Sequence, residues 1–255
     1  MSVYKKALQV DTEVTINSYN SSLETKFEQQ KALEKILLER GILPDSIADI
    51  ACGGGGTTVH LAELYPSAGF TLIDENEDAI SIARRATDKW NATCNIGDLY
   101  DLQLKSDSFD LVICWQTLMC LDRAEAALNE LVRICRPGGT VLASSLFNLN
   151  HDVDVYSKVI DHTRASSRLG LYLSYNTYSY RSVRLWLTSI ATAVTIHKFS
   201  LPVDLVYSER GLGTYTNKLD TGERLQFPAG MHMNLGILEV NKSQSRGILV
   251  SGLLP

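Results

Sequence analysis

Short apolar segments alternate with amphipathic segments between about residues 45 and 145. Five apolar segments have the length of a buried strand, and they cover residues 47–50, 70–73, 94–97, 109–114 and 140–144. Three segments between them, 59–65, 77–90 and 125–136, repeat their apolar residues with helical periodicity. Strands that alternate with helices indicate a doubly wound α/β domain, in which right-handed crossovers build a parallel sheet covered on both faces.

The pattern also predicts an amphipathic helix before the first strand. Over Ser22–Arg40, five apolar residues fall on one face: Phe27, Ala32, Leu33, Ile36 and Leu37. Gly41 is expected to end this helix. We interpret the segment, with Tyr19 before it, as a lid over a ligand, and ordinary cover for the sheet is the alternative.

The sequence after residue 145 predicts further elements in a less regular order. They are a helix after Asp152 to about Leu169, a polar aromatic run over 172–180, a helix over 182–193, strands over 194–201 and 231–242, and a hairpin of 211–218 with 222–227. Ligands of open α/β sheets bind beyond the carboxyl ends of the strands, so the run rich in Tyr and Asn is expected to hold a hydroxylated ligand. A surface loop anchored by its aromatic rings is the alternative.

Four consecutive glycines, Gly53–Gly56, follow the first strand and precede a helix. Residues without side chains let backbone N–H groups approach a ligand, and the start of the next helix favours an anionic group. The loop is therefore interpreted as a cofactor site. A dinucleotide fingerprint would need a small residue at position 58, where the chain has Thr58, and a plain tight turn is a further alternative.

Polar residues follow the next strands where a doubly wound sheet would place its ligand. Asp74 follows the second strand and is positioned to accept from both hydroxyls of a ribose. Asp98 follows the third strand and can accept from an exocyclic amine such as that of adenine. Trp115 and Gln116 follow the fourth strand. Either aspartate alone would by default be a helix N-cap or a turn residue.

Taken in order, these residues resemble the class I S-adenosylmethionine-dependent methyltransferases over about residues 45–145. The resemblance consists of an acidic strand end with G-x-G, an acidic residue after the second strand, Gly-Asp after the third, F-D-hydrophobic-V in the fourth and the turn Arg136-Pro137-Gly138-Gly139. The chain departs from the family at Ala51, where the loop usually has its first glycine. Alanine is expected to fit there on the condition that the backbone has a negative φ.

The resemblance implies S-adenosylmethionine as the cofactor and a set of residues that hold it. The set comprises Tyr19, Phe27, Asp49, Ala51, Gly53, Gly55, Asp74, Glu75, Asp98, Leu99 and Trp115. Gly53 and Gly55 would approach the methionine part of the cofactor.

The resemblance also assigns a role to the larger side chains of this set. Asp49 would orient the loop and contact the methionine amino group directly or through water. Asp74 would bind the ribose, and Asp98 with the Leu99 backbone would bind the adenine. Trp115 would lie over the sulfonium and the methyl acceptor, with plain core packing as its alternative.

The implied fold is a seven-stranded sheet, mostly parallel, with an antiparallel last strand. Strands 194–201 and 231–242 would supply its sixth and seventh members. We expect residues 1–44 to form the helical lid, residues 45–145 the S-adenosylmethionine-binding core, and residues 146–255 a substrate-side insertion with the final strands of the same domain. The sequence has no internal repeat and no low-complexity linker that would indicate a second domain.

The acceptor half of the site is assigned from residues after the fifth strand. If the acceptor is a neutral hydroxyl, its proton must leave, and His151 is the chosen base, with Tyr175 and Asn176 as acceptor-binding groups. An ionised acceptor would need no base. The short motifs N-T-Y-S, G-T-Y-T and R-L-Q-F also resemble methyltransferases of bacterial surface polysaccharide modification.

Composition argues against several other classes of protein. The formal net charge is -5 and no run of Lys or Arg stands out, which disfavours nucleic acid and anionic membranes as partners. Five cysteines without a C-x-x-C pair, and histidines without ligand spacing, disfavour a disulfide framework and a metal site. Without a signal peptide or a segment long enough to span a bilayer, a cytoplasmic location is expected.

The residues after the fourth strand argue against a nucleobase as the methyl acceptor. Cys114-Trp115-Gln116-Thr117 is not the N/D-P-P-Y/F turn of adenine amino-methylating enzymes, and Cys114 has no proline beside it as cytosine carbon methylation requires. We therefore expect methyl transfer to a small-molecule or sugar-linked acceptor, with oxygen favoured as the acceptor atom. The alternatives are a small-molecule N-methyltransferase, a non-catalytic S-adenosylmethionine-binding protein and a nicotinamide-dependent oxidoreductase. The oligomeric state is left open.

Overall fold

The structure, a computed structural model, describes most of the chain. The described residues are 12–149, 152–156, 158–161, 171–174, 176–199, 214–218, 224–228 and 234–244. Within them, six α-helices are α1 (Thr12–Glu24), α2 (Glu28–Glu39), α3 (Gly56–Leu64), α4 (Glu77–Ala86), α5 (Ala124–Ile134) and α6 (Tyr180–Leu187). A 3-10 turn spans Leu118–Cys120.

Twelve strands lie in the same described ranges. They are β1 (Ser46–Ile50), β2 (Gly69–Asp74), β3 (Ala92–Ile96), β4 (Phe109–Cys114), β5 (Cys135–Asn148), β6 (Lys158–Asp161), β7 (Leu171–Ser174), β8 (Tyr178–Ser179), β9 (Ala191–Lys198), β10 (Thr214–Lys218), β11 (Arg224–Pro228) and β12 (Asn234–Lys242).

The main sheet has the strand order β3-β2-β1-β4-β5-β12-β9. β1 to β5 are parallel, while β12 runs antiparallel to both of its neighbours, β5 and β9. The predicted seven-stranded sheet with an antiparallel last strand is confirmed, and the two-residue strand β8 adds an eighth member beside β5. Because the strand order reverses between β1 and β4, a crevice opens at their carboxyl ends, where ligands of such sheets bind.

Alternating residues of the central strands face two separate hydrophobic cores. On one face, Ala48 and Val112 pack with residues of α5 and α6. On the other face, Ile47 and Leu111 pack with residues of α2, α3 and α4. A sheet buried on both faces explains why its strands read as continuous apolar runs in the sequence.

The predicted helix over Ser22–Arg40 is wrong, because the structure has two helices there. α1 ends where Thr25 N donates to Ser21 O, and α2 begins after Phe27, whose backbone is extended (φ -72°, ψ 164°). The side chain of Gln30 stabilises this break, since its Oε1 accepts from Phe27 N at 2.7 Å. Gly41 ends α2 with a φ of +61°, as the sequence predicted.

The helix predicted after Asp152 to about Leu169 is also wrong where the structure describes it. Residues 158–161 form β6, which pairs antiparallel with β7. The sequence of β6 contains Val159 and Ile160, and β-branched residues favour an extended backbone. Residues 162–169 lie outside the described residues.

The remaining predicted elements are present with shifted ends. The hairpin is confirmed, with β10 and β11 antiparallel and Thr214 opposite Pro228. The helix predicted over 77–90 stops at Ala86, where the Thr87 hydroxyl donates back to Ala83 O at 2.8 Å. The helix predicted over 182–193 is α6, and the edge strand β9 already begins at Ala191.

The carboxylate of Asp110 ties together the amino end of the sheet, opposite the crevice. It accepts from Asp45 N and Ser46 N, both at 2.8 Å, from Ser46 Oγ at 2.9 Å, and from Arg136. Partial burial opposes ionisation, but the hydrogen bonds from Ser46 and Arg136 outweigh it and lower the pKa of Asp110. Its interactions therefore join β1, β4 and β5 as long as it is ionised.

Replacing Asp110 by Asn should lower the free energy of unfolding by about 2 kcal/mol at neutral pH, because hydrogen bonds to a charged acceptor are lost. Since the pKa is lowered in the folded state, the stabilisation is present above the ordinary value of 3.8 and is lost as the pH falls through the folded pKa. Urea unfolding at pH 7 and pH 3 measures both effects. Asp88→Asn, at an exposed site, is the control, and equal stabilities of the two variants would contradict this assignment.

Candidate functional site

The loop after β1 turns sharply through three residues with positive φ. Ala51, Gly53 and Gly55 have φ values of +58°, +54° and +82°. The expectation of a negative φ at Ala51 is therefore wrong, and the departure from glycine is not neutral. A left-handed backbone costs an alanine about 1–2 kcal/mol, because Cβ approaches the following carbonyl oxygen. The loop holds this strained residue at the edge of the crevice.

The glycines of the loop leave room for neighbouring helices. A Cβ atom added at Gly53 would lie 2.8 Å from Cε1 of Tyr19. A Cβ atom added at Gly54 would lie 2.7 Å from Cβ of Tyr19. A Cβ at Gly56 would overlap Ser22 of the same helix, α1. These three glycines therefore let α1 pack directly on the loop and on the start of α3.

A cavity of about 480 Å³ opens at the carboxyl ends of β1, β2, β3 and β4 and is bordered by α1 and α2. Most of the predicted cofactor residues line it, namely Tyr19, Phe27, Ala51, Gly53, Asp74, Glu75, Asp98, Leu99 and Trp115. The other two predicted residues lie behind its wall. Asp49 is buried. Gly55 packs against Ala83, since a Cβ atom added at Gly55 would lie 3.2 Å from Cβ of Ala83.

Asp74 joins the tip of β2 to the glycine loop. Its Oδ2 accepts from Gly53 N at 2.8 Å, and its Oδ1 accepts from Asn76 N at 2.9 Å. Burial raises the pKa of this carboxyl, while these backbone hydrogen bonds act in the opposite direction. The backbone N–H of Glu75 is a third donor to this carboxylate, and since a carboxylate has about four acceptor positions, the group can hold the loop and still accept from a ligand hydroxyl.

Asp49 lies beneath the loop and is only 1% exposed. Its Oδ2 accepts from the Thr58 hydroxyl at 2.6 Å, while Oδ1 is buried and finds no hydrogen-bond partner in the part of the chain that the structure describes. Burial, reinforced by the charge of Asp74, raises the pKa of Asp49 to about 7, against the lowering effect of Thr58. A buried acceptor without a partner fits a ligand that brings a donor or a positive charge.

The end of β3 contributes an exposed wall of the cavity. Asp98 is exposed, and its Oδ1 accepts from Tyr100 N at 2.8 Å, which fixes a tight turn. The Tyr100 ring lies under Arg123, whose guanidinium carbon is 4.2 Å from the ring centroid. Asp98 therefore serves as a turn residue that also lines the cavity, and its role in binding adenine stays a prediction.

The end of β4 places two polar side chains in the cavity wall. Trp115 is partly buried against the core under α2 and α3, yet its Nε1 is buried without a hydrogen-bond partner among the described residues. Gln116 is exposed and has a φ of +51°, and its backbone N donates to the buried Ser144 hydroxyl at 2.7 Å. Core packing and cavity contact are therefore combined in Trp115.

The segment predicted as a lid contacts the loop through α1. The ring of Tyr19 lies against Gly53 and Gly54, and burial together with the charge of Asp74 raises the pKa of its hydroxyl. Phe27, at the start of α2, is 38% exposed and lines the cavity. His60 Nε2 lies 3.2 Å from Ser22 O and adds a contact between α1 and α3.

Of the three predicted acceptor residues, the structure describes Asn176 alone. His151 and Tyr175 lie outside the described residues. Asn176 is 3% exposed and does not line the cavity. Its Nδ2 donates to Leu121 O at 2.9 Å, and its backbone N donates to Met119 O at 2.7 Å, so it supports the loop after β4 from behind.

Several lining residues were not singled out in the sequence, among them Ser22, Gln29, Gln30, Tyr100, Cys120 and Arg123. Gln30 could have been noticed, because a glutamine three residues after a helix start often bonds back to the starting backbone N–H. The others carry no local signal, since only the packing of α1, α2 and the loop after β4 brings them to the cavity.

The cavity fits a zwitterionic nucleoside cofactor. Asp74, Asp98 and Trp115 line it, and the buried Asp49 lies behind its wall with one carboxylate oxygen that has no partner among the described residues. Its volume falls within the usual range of roughly 300–1,000 Å³ for small-molecule sites. Within the described ranges, no group of His, Cys, Asp and Glu side chains could hold a metal ion, and no helix is long and apolar enough to cross a membrane.

Comparison with known proteins gives a consistent result. A family described as a methyltransferase domain matches residues 47–139. Norajmaline N-methyltransferase of Rauvolfia serpentina is 27% identical over 184 residues, which cover 70% of this chain and 63% of that protein. Malonyl-[acyl-carrier protein] O-methyltransferase of Geobacter sulfurreducens is 32% identical over 126 residues, 47% of this chain and 46% of that protein. The chain thus spans about half to three-fifths of the length of these relatives.

Solved structures share the architecture. The PH0226 protein from Pyrococcus horikoshii matches with a TM-score of 0.57 and 16% identity, covering 95% of this chain and all of that one. At this identity the likeness concerns the fold alone. The strand order and the residues around the cavity agree with the methyltransferase-domain match of residues 47–139, and together they support a class I S-adenosylmethionine-dependent methyltransferase.

Proposed function

We propose that this protein transfers the methyl group of S-adenosylmethionine to a small-molecule or sugar-linked acceptor, with oxygen as the acceptor atom. The observation that carries the proposal is one continuous cavity that runs from the glycine loop and Asp74 to Trp115 and Gln116. Bound S-adenosylmethionine supplies an electrophilic methyl group. A cavity that holds both partners in line supplies much of the rate enhancement by positioning.

The chain's own residues have separate tasks in this proposal. Asp49 and Asp74 bind the charged and hydroxylated parts of the cofactor, and Asp98 binds its base. Tyr19 and Phe27 exclude water from the cavity, because they border it from α1 and the start of α2. Residues 1–44 are accordingly proposed as the lid, and residues 45–145 as the cofactor-binding core.

The acceptor is proposed from weaker support. The relatives include both an N-methyltransferase and an O-methyltransferase, so they favour neither atom. The sugar-linked acceptor rests on the short motifs G-T-Y-T and R-L-Q-F, which lie on the paired strands β10 and β11. No histidine is among the described residues that line the cavity. A neutral hydroxyl needs a His or carboxylate base, for which His151, outside the described residues, is proposed, while an ionised carboxylate needs none.

Product analysis tests the reaction itself. Purified protein is incubated with S-adenosylmethionine carrying a labelled methyl group and with hydroxylated, carboxylated and amine-containing acceptors. Labelled product from a hydroxyl or carboxyl compound supports the proposal. Label only on amines would favour the N-methyltransferase, and tight cofactor binding without any product would favour a non-catalytic binding protein.

Replacing Asp74 by Ala should weaken binding of S-adenosylhomocysteine, the demethylated cofactor, by about tenfold or more. The substitution removes the charged acceptor proposed for the ribose, and one hydrogen bond to a charged group contributes roughly 1.5–3 kcal/mol. Titration calorimetry measures the affinity, and a melting curve checks that the loop, which Asp74 also holds through Gly53 N, still folds. Asp88→Ala is the matched control, and unchanged affinity in Asp74→Ala would refute the ribose role.

Binding of S-adenosylhomocysteine should weaken as the pH falls below about 7. The pKa of Asp49 is about 7, so the carboxyl is increasingly neutral at lower pH and loses its attraction for the ligand's ammonium group. The dissociation constant should rise by at most about tenfold per pH unit, because one proton is released on binding. In Asp49→Asn the affinity should be lower at pH 8 and nearly independent of pH between 5 and 8. Parallel pH curves for the two proteins would rule out Asp49 as the titrating group.

His151→Ala should slow methylation of a neutral hydroxyl acceptor and leave the affinity for S-adenosylhomocysteine near normal. The physical reason is that a base removes the hydroxyl proton but takes no part in holding the cofactor. Turnover is measured against pH, with a carboxylate acceptor as the control because it needs no base. Full activity of the variant on the hydroxyl acceptor would remove His151 from the mechanism.

A further inference from the structure

Two buried polar side chains in the helical wall of the cavity have hydrogen-bond donors that no described residue uses. Gln30 of α2 is 5% exposed and Thr57 of α3 is 7% exposed, and both line the cavity. Gln30 Oε1 accepts from Phe27 N, but Gln30 Nε2 and the Thr57 hydroxyl have no hydrogen-bond partner among the described residues. Both atoms keep some accessible surface, whereas Nε1 of Trp115 is enclosed. The two donors are therefore open to a ligand.

Gln30 and Thr57 lie side by side at the boundary of the cavity. Both also line a gap of about 10 Å³ between α2 and α3, so they form the partition between the two spaces. A gap of this size has room for about one water molecule. A ligand can therefore reach both donors only from the large cavity.

The starts of two helices meet the same wall of the cavity. α2 begins at Glu28 and α3 begins at Gly56, and Gln29 and Gly56 of their first turns line the cavity. The preceding residues, Phe27 and Gly55, make no side-chain cap. The N–H groups of a first turn have no partner within the helix, and the partial positive charge there favours an anion.

The charged residues of the lining belong to other elements. The side chains that α1, α2 and α3 contribute to the lining are uncharged in the described part of the chain. The acidic lining residues come from the ends of β2 and β3 and from the residues after the 3-10 turn, and they are Asp74, Glu75, Asp98 and Asp122. Two neutral donors and two helix starts, without an Arg or Lys, suit the single charge of a carboxylate, because phosphate is usually bound by Arg or Lys.

Gln30 also connects this wall with the break between α1 and α2. Its Oε1 accepts from Phe27 N at 2.7 Å, and the planar carboxamide joins this oxygen rigidly to Nε2. α2 is fixed to the sheet by buried residues such as Leu33 and Leu37, whereas none of the α1 side chains that the structure describes is buried. A helix with few buried contacts opens at a low cost in free energy. An anion held by Nε2 would orient Oε1 toward Phe27 N and so stabilise the closed position of α1.

We propose that Gln30 Nε2–H and the Thr57 hydroxyl bind a carboxylate group of a ligand, and that the Gln30 carboxamide thereby makes closure of α1 depend on this anion. This inference rests on the proposed function, because the carboxylate belongs to one of the two substrates of the same cavity. Gln30 and Thr57 act here as binding and positioning residues and carry out no chemical step.

Two ligands of a methyltransferase cavity can carry such a group. S-adenosylmethionine has a carboxylate at its amino-acid end, and an acid that serves as methyl acceptor has one as well. The donors recognise the same chemistry in either case. The two sources are separated when the carboxylate is removed from one ligand at a time.

Calorimetry of the full chain tests recognition of the carboxylate with two pairs of ligands. S-adenosylhomocysteine is compared with S-adenosyl-3-thiopropylamine, which keeps the nucleoside and the ammonium group but lacks the carboxylate. Benzoate is compared with benzyl alcohol on the complex with S-adenosylhomocysteine. The unmodified chain should bind the carboxylate member of at least one pair more tightly by about tenfold or more, and that pair identifies the source.

Gln30→Glu and Thr57→Val should each remove this preference. A glutamate at position 30 can still accept from Phe27 N, so the break between the helices is kept, but it lacks the amide donor and repels a carboxylate. Valine has a similar shape to threonine without the hydroxyl. Gln103→Glu, at an exposed position that does not line the cavity, is the control for the added charge, and melting curves check that all variants fold.

Trypsin cleavage after Lys26, which lies in the break between α1 and α2, measures closure of α1. Cleavage requires the local backbone to open, so a ligand that keeps the break closed slows it. At equal saturation, the carboxylate ligand should slow cleavage several-fold more than its partner without a carboxylate. In Gln30→Glu the two ligands should slow cleavage equally. Mass spectrometry follows the peptide bond between Lys26 and Phe27.

Three outcomes would overturn the proposal. The carboxylate could bring no gain in affinity in either pair, or the gain could persist in Gln30→Glu or in Thr57→Val. Cleavage after Lys26 could also proceed at the same rate with and without the carboxylate. In all three cases S-adenosylhomocysteine still binds the unmodified chain and the proposed function stands. Failure of the unmodified chain to bind S-adenosylhomocysteine would instead refute the proposed function itself.

Discussion

The hydrogen bond from Gly53 N to the Asp74 carboxylate, at 2.8 Å, is the interaction on which the site depends. It joins the loop after β1 to the tip of β2 and so fixes the left-handed turns at Ala51, Gly53 and Gly55. The fixed loop then offers a surface without side chains on which Tyr19 packs. The shape of the cavity follows from this chain of contacts.

Burial gives the cavity its chemical character. The pKa values of Asp49 and Asp74 are both raised by loss of solvent, and the charge of Asp74 adds to the cost of ionising Asp49. A cationic ligand group relieves this repulsion, and a sulfonium nucleoside with an amino group carries two positive charges. The same desolvation leaves Oδ1 of Asp49 and Nε1 of Trp115 with unmet hydrogen bonds.

The sequence predicted the sheet well because its signals are local. Apolar runs, strand-end aspartates and the turn before β5 each depend on a few neighbouring residues, and their order along the chain implies the strand order. The errors arose where particular contacts, rather than the pattern of apolar residues, decide the backbone. The continuous helix over Ser22–Arg40 failed because the Gln30 side chain bonds to Phe27 N, and the periodicity of apolar residues continues across that break. The φ of Ala51 is set by the contacts of the whole loop rather than by its own residue type.

The sequence by itself determined the family resemblance of the core, the parallel strands and the carboxylates at the strand tips, since these depend on periodicity and on residue types in a fixed order. Only the tertiary structure decided which polar groups stay unpaired, because pairing depends on atoms from distant segments, such as Ser144 for Gln116 and Thr58 for Asp49. It also decided that Asn176 supports a loop from behind the cavity, and that the glycines make room for Tyr19 and Ser22. Steric exclusion and desolvation act between elements brought together by folding, and no local pattern of residues records them.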